Sequence, residues 1–152
     1  MAVLCKRLAP TCILLDMQEQ DKEQIIQHLV TALDAAHHLS DPQKLLSDIM
    51  AREKIASTCL GCGCAIPHAH SDTLKTSFLA AARLTPPATF DTPDNQPISL
   101  IFLLVGPTQN AVVHLKLLSK LARLLHDETF GGQLLGSTSA EEFHALICNK
   151  DG

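Results

Sequence analysis

The chain has 152 residues, of which 46% are hydrophobic, so it is long enough to bury the core of one globular domain. The formal net charge of −4 leaves no excess of positive charge to neutralise the phosphates of a nucleic acid. With no Trp, no Tyr and five Phe, the chain also lacks the rings on which bases stack. These numbers predict a single domain over residues 1–152 and argue against nucleic acid as a partner.

The first fifteen residues contain a short apolar run after Lys6 and Arg7, as a signal peptide does. Pro10 interrupts this run, and no small-residue cleavage pattern follows it. No other stretch has the roughly 20 apolar residues that a membrane span needs. We therefore expect this segment to be part of the fold of a cytoplasmic protein without a membrane span. In such a reducing compartment, all six cysteines are expected to remain thiols unless they bind metal or carry out redox chemistry.

Two amphipathic helices are predicted next along the chain. From Asp21 to His38, apolar residues recur at helical spacing, with Glu and Gln on the opposite side. Asp41 followed by Pro42 is a good helix start, because proline is tolerated in the first turn, and this second helix runs to about Glu53.

The composition then changes to Gly, Cys, Pro and His between Ile55 and Ser71, which predicts a loop with a short extended piece at Ala65 and Ile66. Two apolar runs follow, from Thr76 to Leu84 and from Ile98 to Val105, and they are predicted to be buried strands. In the first run, the two faces of the strand are both apolar: Phe78, Ala80 and Ala82 on one side, Leu79 and Ala81 on the other.

The last part of the chain predicts two more helices. The segment from Asn110 to His126 has a broad leucine stripe, which is too short for several heptads and is interpreted as core, so it predicts no oligomeric state. Ser139 precedes a final helix from Ala140 to Cys148 as its N-cap, with Glu142 at the capping-box position. Together the elements predict an α/β fold, a mixed β-sheet flanked by helices on both faces.

The run from Gly61 to His68 holds the first candidate for chemistry. It places a histidine at the end of a short extended segment, which Pro67 makes rigid and the glycines allow to turn tightly. A neutral imidazole can attack phosphorus, and its ordinary pKa of about 6.5 leaves much of it unprotonated. The second candidate is His114, near the start of the Asn110 helix, where an anion would also meet unpaired backbone N–H groups.

These residues form a recognisable pattern. The run Arg52-Glu53, then Gly61-x-Gly63-x-Ala65-Ile66-Pro67-His68, and later His114-Leu115 at the start of a helix, resembles the fructose- and mannitol-type enzyme IIA family of the bacterial phosphoenolpyruvate-dependent phosphotransferase system. The resemblance covers nearly the whole chain and implies an α/β fold with a mixed sheet between helices. The stretch from Phe90 to Ile98 most resembles the nitrogen-regulatory branch, whose members stand apart from a sugar permease and act as regulators. The chain differs from that branch at Cys62, where asparagine is usual, and at Ala69-His70.

The resemblance also implies roles for three residues and two partners. His68 would be the phosphorylated residue, His114 would stabilise the phosphoryl group, and Arg52 would contact its oxygens. Phosphoryl transfer needs mainly in-line positioning and charge stabilisation, so no cofactor or metal is required. The donor would be the histidine-containing phosphocarrier protein. The acceptor would be a regulatory target protein or, in a sugar-transport member, a cysteine of an enzyme IIB.

Two hypotheses of another class remain open. A binding module could keep the fold and use the same site only for recognition. A zinc protein is the other, because Cys59-x-x-Cys62-x-Cys64, with His68 and His70 close behind, has the ligand types for zinc. Against zinc, the other cysteines form no second CxxC pair. No role is predicted for the remaining histidines, which are His28, His37, His38, His126 and His144.

Overall fold

The computed structural model of the chain describes residues 3–55, 58–60, 62–90 and 96–151. In this part of the chain, helices cover both faces of one five-stranded sheet. In chain order, a 3₁₀ turn at Cys5–Arg7 is followed by β1 (Leu8–Met17), α1 (Lys22–His37), α2 (Pro42–Ile55), β2 (Cys64–Ala65), β3 (His68–His70), β4 (Phe78–Ala88), β5 (Ile98–Gly106), α3 (Ala111–Leu125), α4 (Glu128–Leu135) and α5 (Ala140–Asp151). The predicted α/β class with a mixed sheet is confirmed.

The sheet has the strand order β1-β4-β5-β2, and β3 pairs with β5 beyond β2. β4 runs antiparallel to β5, whereas β1 is parallel to β4 and both short strands are parallel to β5. Since β4 occupies one edge of β5, β2 and β3 share the other. The pairing of His68 with Leu104 therefore places this histidine at an edge of the sheet, close to solvent.

The alternation of side chains along the central strands divides the core into two clusters. Ala80 and Ala82 of β4 pack on one face, beneath α1 and α2. Leu79 and Ala81 pack on the other face, beneath α3, α4 and α5. A strand sends successive side chains to opposite faces, so a strand that is apolar at every position needs a cover on both sides. The two faces predicted for this strand are confirmed.

The predicted helices are present with small differences at their ends. α1, α2 and α3 each agree with the prediction within two residues, and α5 extends to Asp151 rather than Cys148. Ser139 Oγ accepts a hydrogen bond from the Glu142 N–H at 3.1 Å, as an N-cap does. The Glu142 carboxylate, however, accepts from the Thr138 N–H and hydroxyl and not from the Ser139 N–H, so the reciprocal half of the capping box was wrong.

Four elements differ from the prediction, and one of them is β3, which lies where a loop was expected. β1 was expected only as part of the fold, without a type, and α4 was not predicted because two adjacent glycines, Gly131 and Gly132, weaken its helical signal. β4 continues past Leu84 to Ala88, since its prolines lie where the ladder to β5 is interrupted and no N–H is needed. The nitrogen-regulatory comparison rests partly on residues 91–95, which lie outside the described residues.

One cysteine pair contradicts the prediction of six thiols. Cys5 and Cys148 form a disulfide, with their Cα atoms 4.9 Å apart. The two cysteines meet because the 3₁₀ turn at Cys5–Arg7 packs beside α5. Cys12, Cys59, Cys62 and Cys64 are not part of a disulfide. Among the described residues, no helix has the length and apolar character required to cross a membrane.

Candidate functional site

A cleft of about 590 Å³ opens between the C-terminal end of α2, the strand β3 and the first turns of α3. Its walls combine cationic, imidazole and aliphatic side chains, notably Arg52, Ile55, His68, His70, His114 and Leu115. The three residues that the sequence analysis selected, His68, His114 and Arg52, all line this one cleft.

His68 is held by the backbone on both sides of Pro67. The Leu104 N–H donates to the Pro67 carbonyl at 3.0 Å, which fixes β3 against β5 just before the histidine. The His68 ring folds back so that Nδ1 lies 2.7 Å from the Ile66 carbonyl oxygen. A carbonyl only accepts hydrogen bonds, so Nδ1 carries the proton and donates it. In the neutral ring, Nε2 is then the nitrogen with the lone pair.

The contact of Arg52 with Nε2 agrees with this assignment of the ring nitrogens. Its Nη2 lies 3.4 Å from His68 Nε2, and a guanidinium group can only donate. The last turn of α2 supplies this arginine, and it is half-buried against the cleft. Its neighbour Glu53 is buried and faces another way, since it accepts a hydrogen bond from Lys22 at 2.7 Å.

The protonation state of His68 follows from its surroundings. Burial lowers the pKa of this imidazole below its ordinary value, and the positive charge of Arg52 and the nearby His70 lower it further. The Ile66 carbonyl and Glu53 oppose this shift in pKa without reversing it. At neutral pH the ring is accordingly uncharged, as a nucleophile must be.

His114 lies deeper, with 4% of its surface exposed. Its ring centroid is 6.0 Å from that of His68. Burial, together with the proximity of His70 and His68, lowers the pKa of His114 to about 4. Both ring nitrogens lack a hydrogen-bond partner among the described residues. A buried polar group without a partner is costly, and a group that binds in the cleft would satisfy it.

Gly106 makes room for this arrangement at the end of β5. A Cβ atom there would lie 2.7 Å from Ser77 Oγ and 3.2 Å from His114 Nδ1. Any side chain at this position would therefore clash with Ser77 and crowd the His114 ring. The sequence alone gave no sign of this contact, because it joins a strand end to the next helix.

His70 also lines the cleft, although the sequence indicated it only as a departure from the family pattern or as a zinc ligand. Its ring lies 4.2 Å from that of His114, and its Nδ1 is 3.3 Å from the Pro107 carbonyl oxygen. It is exposed at the mouth of the cleft. The alternation of side chains along β3 could have predicted this position, since residues 68 and 70 point to the same side of the strand.

The cysteines of the same region are separated by the sheet. Cys59 packs against the core cluster beneath α1 and α2, whereas Cys62 and Cys64 belong to the opposite cluster. Burial and the adjacent Cys62 raise the pKa of the Cys64 thiol to about 12, which disfavours the thiolate that zinc needs. Within the described ranges, the one group of three side chains with ligand atoms close enough for a metal is Cys5, His144 and Cys148.

The fold and the cleft thus define a class of protein, a mixed α/β domain that presents an uncharged imidazole beside an arginine and a second, buried imidazole. Comparisons with known proteins agree with this class. Residues 7–150 match the family described as "Phosphoenolpyruvate-dependent sugar phosphotransferase system, EIIA 2". The chain belongs to this enzyme IIA family.

Individual relatives place the chain near the regulatory members of the family. It is 34% identical to a nitrogen regulatory protein of Bradyrhizobium diazoefficiens over 141 residues, which is 92% of this chain and 91% of the relative. The structure is similar to that of the nitrogen regulatory protein IIA-Ntr from Neisseria meningitidis, with a TM-score of 0.88 and 34% identity over 95% of this chain and 99% of that one. The mannitol IIA of Escherichia coli shares the fold at 20% identity, with a TM-score of 0.77 over 91% of this chain and 97% of that one.

Proposed function

We propose that this protein is a phosphocarrier in which His68 Nε2 accepts a phosphoryl group. The observation that carries this proposal is the pair of contacts on the His68 ring, in which the Ile66 carbonyl holds the proton on Nδ1 and leaves the Nε2 lone pair toward the cleft. When Nε2 attacks, a P–N bond forms to His68 and the P–N bond to the donor's histidine breaks. The donor ring leaves as the neutral imidazole after it takes up a proton.

Two neighbours are suited to the charge of the bound phosphoryl group. Arg52 already donates toward Nε2, so its guanidinium would contact the oxygens of a group attached there, where charge-assisted hydrogen bonds are strongest. His114 is neutral at pH 7 because of its lowered pKa, so it still has one N–H to donate. This N–H, which has no acceptor among the described residues, would gain one in the phosphoryl oxygens.

The rim of the cleft is suited to a protein partner. Ile55, Val112 and Leu115 are 79%, 67% and 61% exposed, although they are large aliphatic side chains. Exposed aliphatic residues around a polar centre are typical of a surface that another protein covers. We propose the histidine-containing phosphocarrier protein as the donor and the cytoplasm as the compartment, with residues 1–152 acting as one domain.

For the acceptor we propose a regulatory target protein, since the relatives at 34% identity carry nitrogen-regulatory names. Transfer to a cysteine of an enzyme IIB, as in sugar transport, is the second candidate, favoured by the shared fold of the mannitol protein. The two acceptors predict different fates for the phosphoryl group. When an enzyme IIB is added to the phosphorylated protein, a transport member loses its phosphoryl group to it, whereas a regulatory member retains the group and changes its affinity for a target.

The test is incubation of the chain with phosphoenolpyruvate, enzyme I and the histidine-containing phosphocarrier protein. We expect one acid-labile phosphoryl group per chain by intact-mass spectrometry, and none in His68→Ala. The exposed His126 provides a matched control, because His126→Ala should be phosphorylated like the wild type. Phosphorylation that persists in His68→Ala would overturn the site. A wild type that takes up no phosphoryl group would favour the non-catalytic binding module instead.

A further inference from the structure

A cluster of three potential metal ligands lies at the junction of the two chain ends, apart from the residues of the His68 cleft. His144 and Cys148 are one helical turn apart on α5, so their side chains lie on one face of the helix. Cys5, from the 3₁₀ turn before β1, completes the group. All three side chains are half-buried, so solvent and small ions reach them.

Two distances within the cluster are close to those between ligands of a tetrahedral zinc ion. His144 Nε2 lies 3.7 Å from Cys5 Sγ and 3.6 Å from Cys148 Sγ. With Zn–S near 2.3 Å and Zn–N near 2.0–2.1 Å, a tetrahedral ion separates neighbouring sulfur and nitrogen ligands by roughly 3.6 Å. Cys148 Sγ is also 3.7 Å from His144 Nδ1, so the imidazole must turn about its Cβ–Cγ bond before Nε2 faces an ion shared with the sulfurs. The sulfurs, which are bonded to each other in the structure, need to separate to about 3.8 Å.

Contacts other than the disulfide also hold Cys5 in place. The Leu4 and Cys5 N–H groups donate to the Asp151 carboxylate at 2.8 and 2.9 Å, which ties the start of the chain to the end of α5. Lys120 forms an ion pair with the same buried carboxylate at 2.8 Å. Leu4 is also fully buried in the core. These contacts keep Cys5 beside α5 when the sulfur–sulfur bond is broken, so the three side chains stay within reach of one ion.

We propose that Cys5, His144 and Cys148 bind a Zn²⁺ ion when the two cysteines are reduced, and that oxidation to the disulfide closes this site. A cellular dithiol would be the reductant: it supplies two electrons and two protons, the S–S bond breaks, two thiols form, and the dithiol becomes a disulfide. Zn²⁺ then replaces the two thiol protons, which go to solvent. Two thiolates and an imidazole are ligands that Zn²⁺ prefers, and water takes the fourth position.

The tautomer of His144 is compatible with this role. Nε2 lies 3.3 Å from the Cys5 carbonyl oxygen, so in one tautomer it donates a hydrogen bond there. In the other tautomer the proton is on Nδ1, and Nε2 offers its lone pair to the metal. Metal binding selects the second tautomer.

The test uses the full chain, reduced with a phosphine, freed of metal with a chelator and titrated with Co²⁺ as a spectroscopic probe for zinc. We expect thiolate-to-cobalt charge-transfer bands and the d–d bands of tetrahedral Co²⁺, saturating at one ion per chain and lost when Zn²⁺ is added. The protein oxidised to the disulfide should show neither set of bands.

Variants make the result specific to these ligands. Cys148→Ser should abolish the bands. His144→Ala should weaken Co²⁺ binding at least about tenfold, and since it keeps both cysteines, its fold can be verified in the disulfide form. The double variant Cys59→Ser/Cys62→Ser removes the same number of thiols as the pair proposed here and should bind like the wild type. The proposal is overturned if the reduced wild type shows no bands, if His144→Ala binds as tightly as the wild type, or if the double variant loses the bands.

Discussion

His68 has contacts of opposite kind on its two ring nitrogens, a carbonyl that accepts from Nδ1 and a guanidinium that donates toward Nε2. The carbonyl belongs to the backbone of Ile66, so the tautomer is independent of the side chain at that position. Ile66 and His68 lie on either side of Pro67, so the His68 ring can fold back to this carbonyl. The ring nitrogen that carries the lone pair is thus determined by local backbone geometry, and only its charged neighbour, Arg52, comes from another element.

His114 allows a prediction about the rate of transfer. His114→Leu removes the N–H donor that would contact the phosphoryl group but leaves His68 intact. We expect phosphorylation of His68 to continue, with phosphoryl transfer slower by roughly 100-fold, the size of effect seen when one preorganised donor to a developing charge is lost. Single-turnover rates with the phosphorylated donor measure this. An unchanged rate would remove His114 from the site.

The lowered pKa of His114 also predicts how stability depends on pH. An unfolded histidine titrates near 6.5, so between about pH 6.5 and the folded value of about 4 the unfolded state binds the extra proton. The contribution of this residue is complete above about pH 6.5 and decreases as the pH falls, by up to roughly 3 kcal/mol.

Urea unfolding at about pH 7.5 and about pH 5 tests this sign, with His114→Gln compared against the wild type. The loss of stability at the lower pH should be smaller in His114→Gln. His126→Gln, which alters an exposed histidine, is the control and should lose as much as the wild type. An identical loss in His114→Gln and the wild type would contradict the prediction.

At the scale of the elements, the helix N-termini differ in how they are capped. The Asp21 carboxylate accepts a hydrogen bond from the Gln24 N–H at 3.1 Å at the start of α1. Asn110, at the start of α3, makes no such side-chain bond. The N-cap side chain therefore stabilises α1 but not α3. The first turn of α3, beside the cleft, has no side-chain cap on its N–H groups.

This difference gives a matched pair of substitutions. Asp21→Ala should lower the free energy of unfolding by about 1 kcal/mol, because the first turn of α1 loses its cap. Asn110→Ala should change it by less than about 0.5 kcal/mol. The midpoint of urea unfolding for each variant measures the effect, and equal losses in the two variants would show that the caps are equivalent.

For the whole molecule, a buried arginine joins the sheet to the end of α4. Arg83 of β4 donates from Nη1 to the carbonyls of Leu135 and Ser137, at 3.1 and 2.7 Å, and from Nη2 to Asp16 at 3.1 Å. The last carbonyls of a helix have no partner within it, and this guanidinium satisfies them. β1, β4 and α4 are thereby connected at one residue.

We expect Arg83→Met to lower the free energy of unfolding by roughly 3 kcal/mol, because it leaves buried carbonyls without donors while keeping much of the side-chain volume. Arg123→Met, at an exposed position on α3, should change it by less than about 0.5 kcal/mol. Chemical denaturation of both variants provides the comparison. A loss no larger in Arg83→Met than in Arg123→Met would mean that water replaces the guanidinium without penalty.

Much of this fold could be predicted because its signals are local. The period of apolar residues indicated α1, α2 and α3, and the doubly apolar runs indicated β4 and β5, since each element must bury a face of its own. The N-cap residue Ser139 indicated α5. Where the local signal was weak, prediction failed. α4 contains two glycines in eight residues, and the strand type of β1 could not be inferred because Pro10 lies near its start.

The sequence by itself determined the α/β class, the family pattern around His68 and the candidate residues His114 and Arg52. Only the tertiary structure decided that these three side chains line one cleft, that His70 joins them, and that Cys5 meets Cys148 across the length of the chain. The physical reason is that periodicity records which face of an element is buried, whereas a contact between distant elements depends on how those faces pack together.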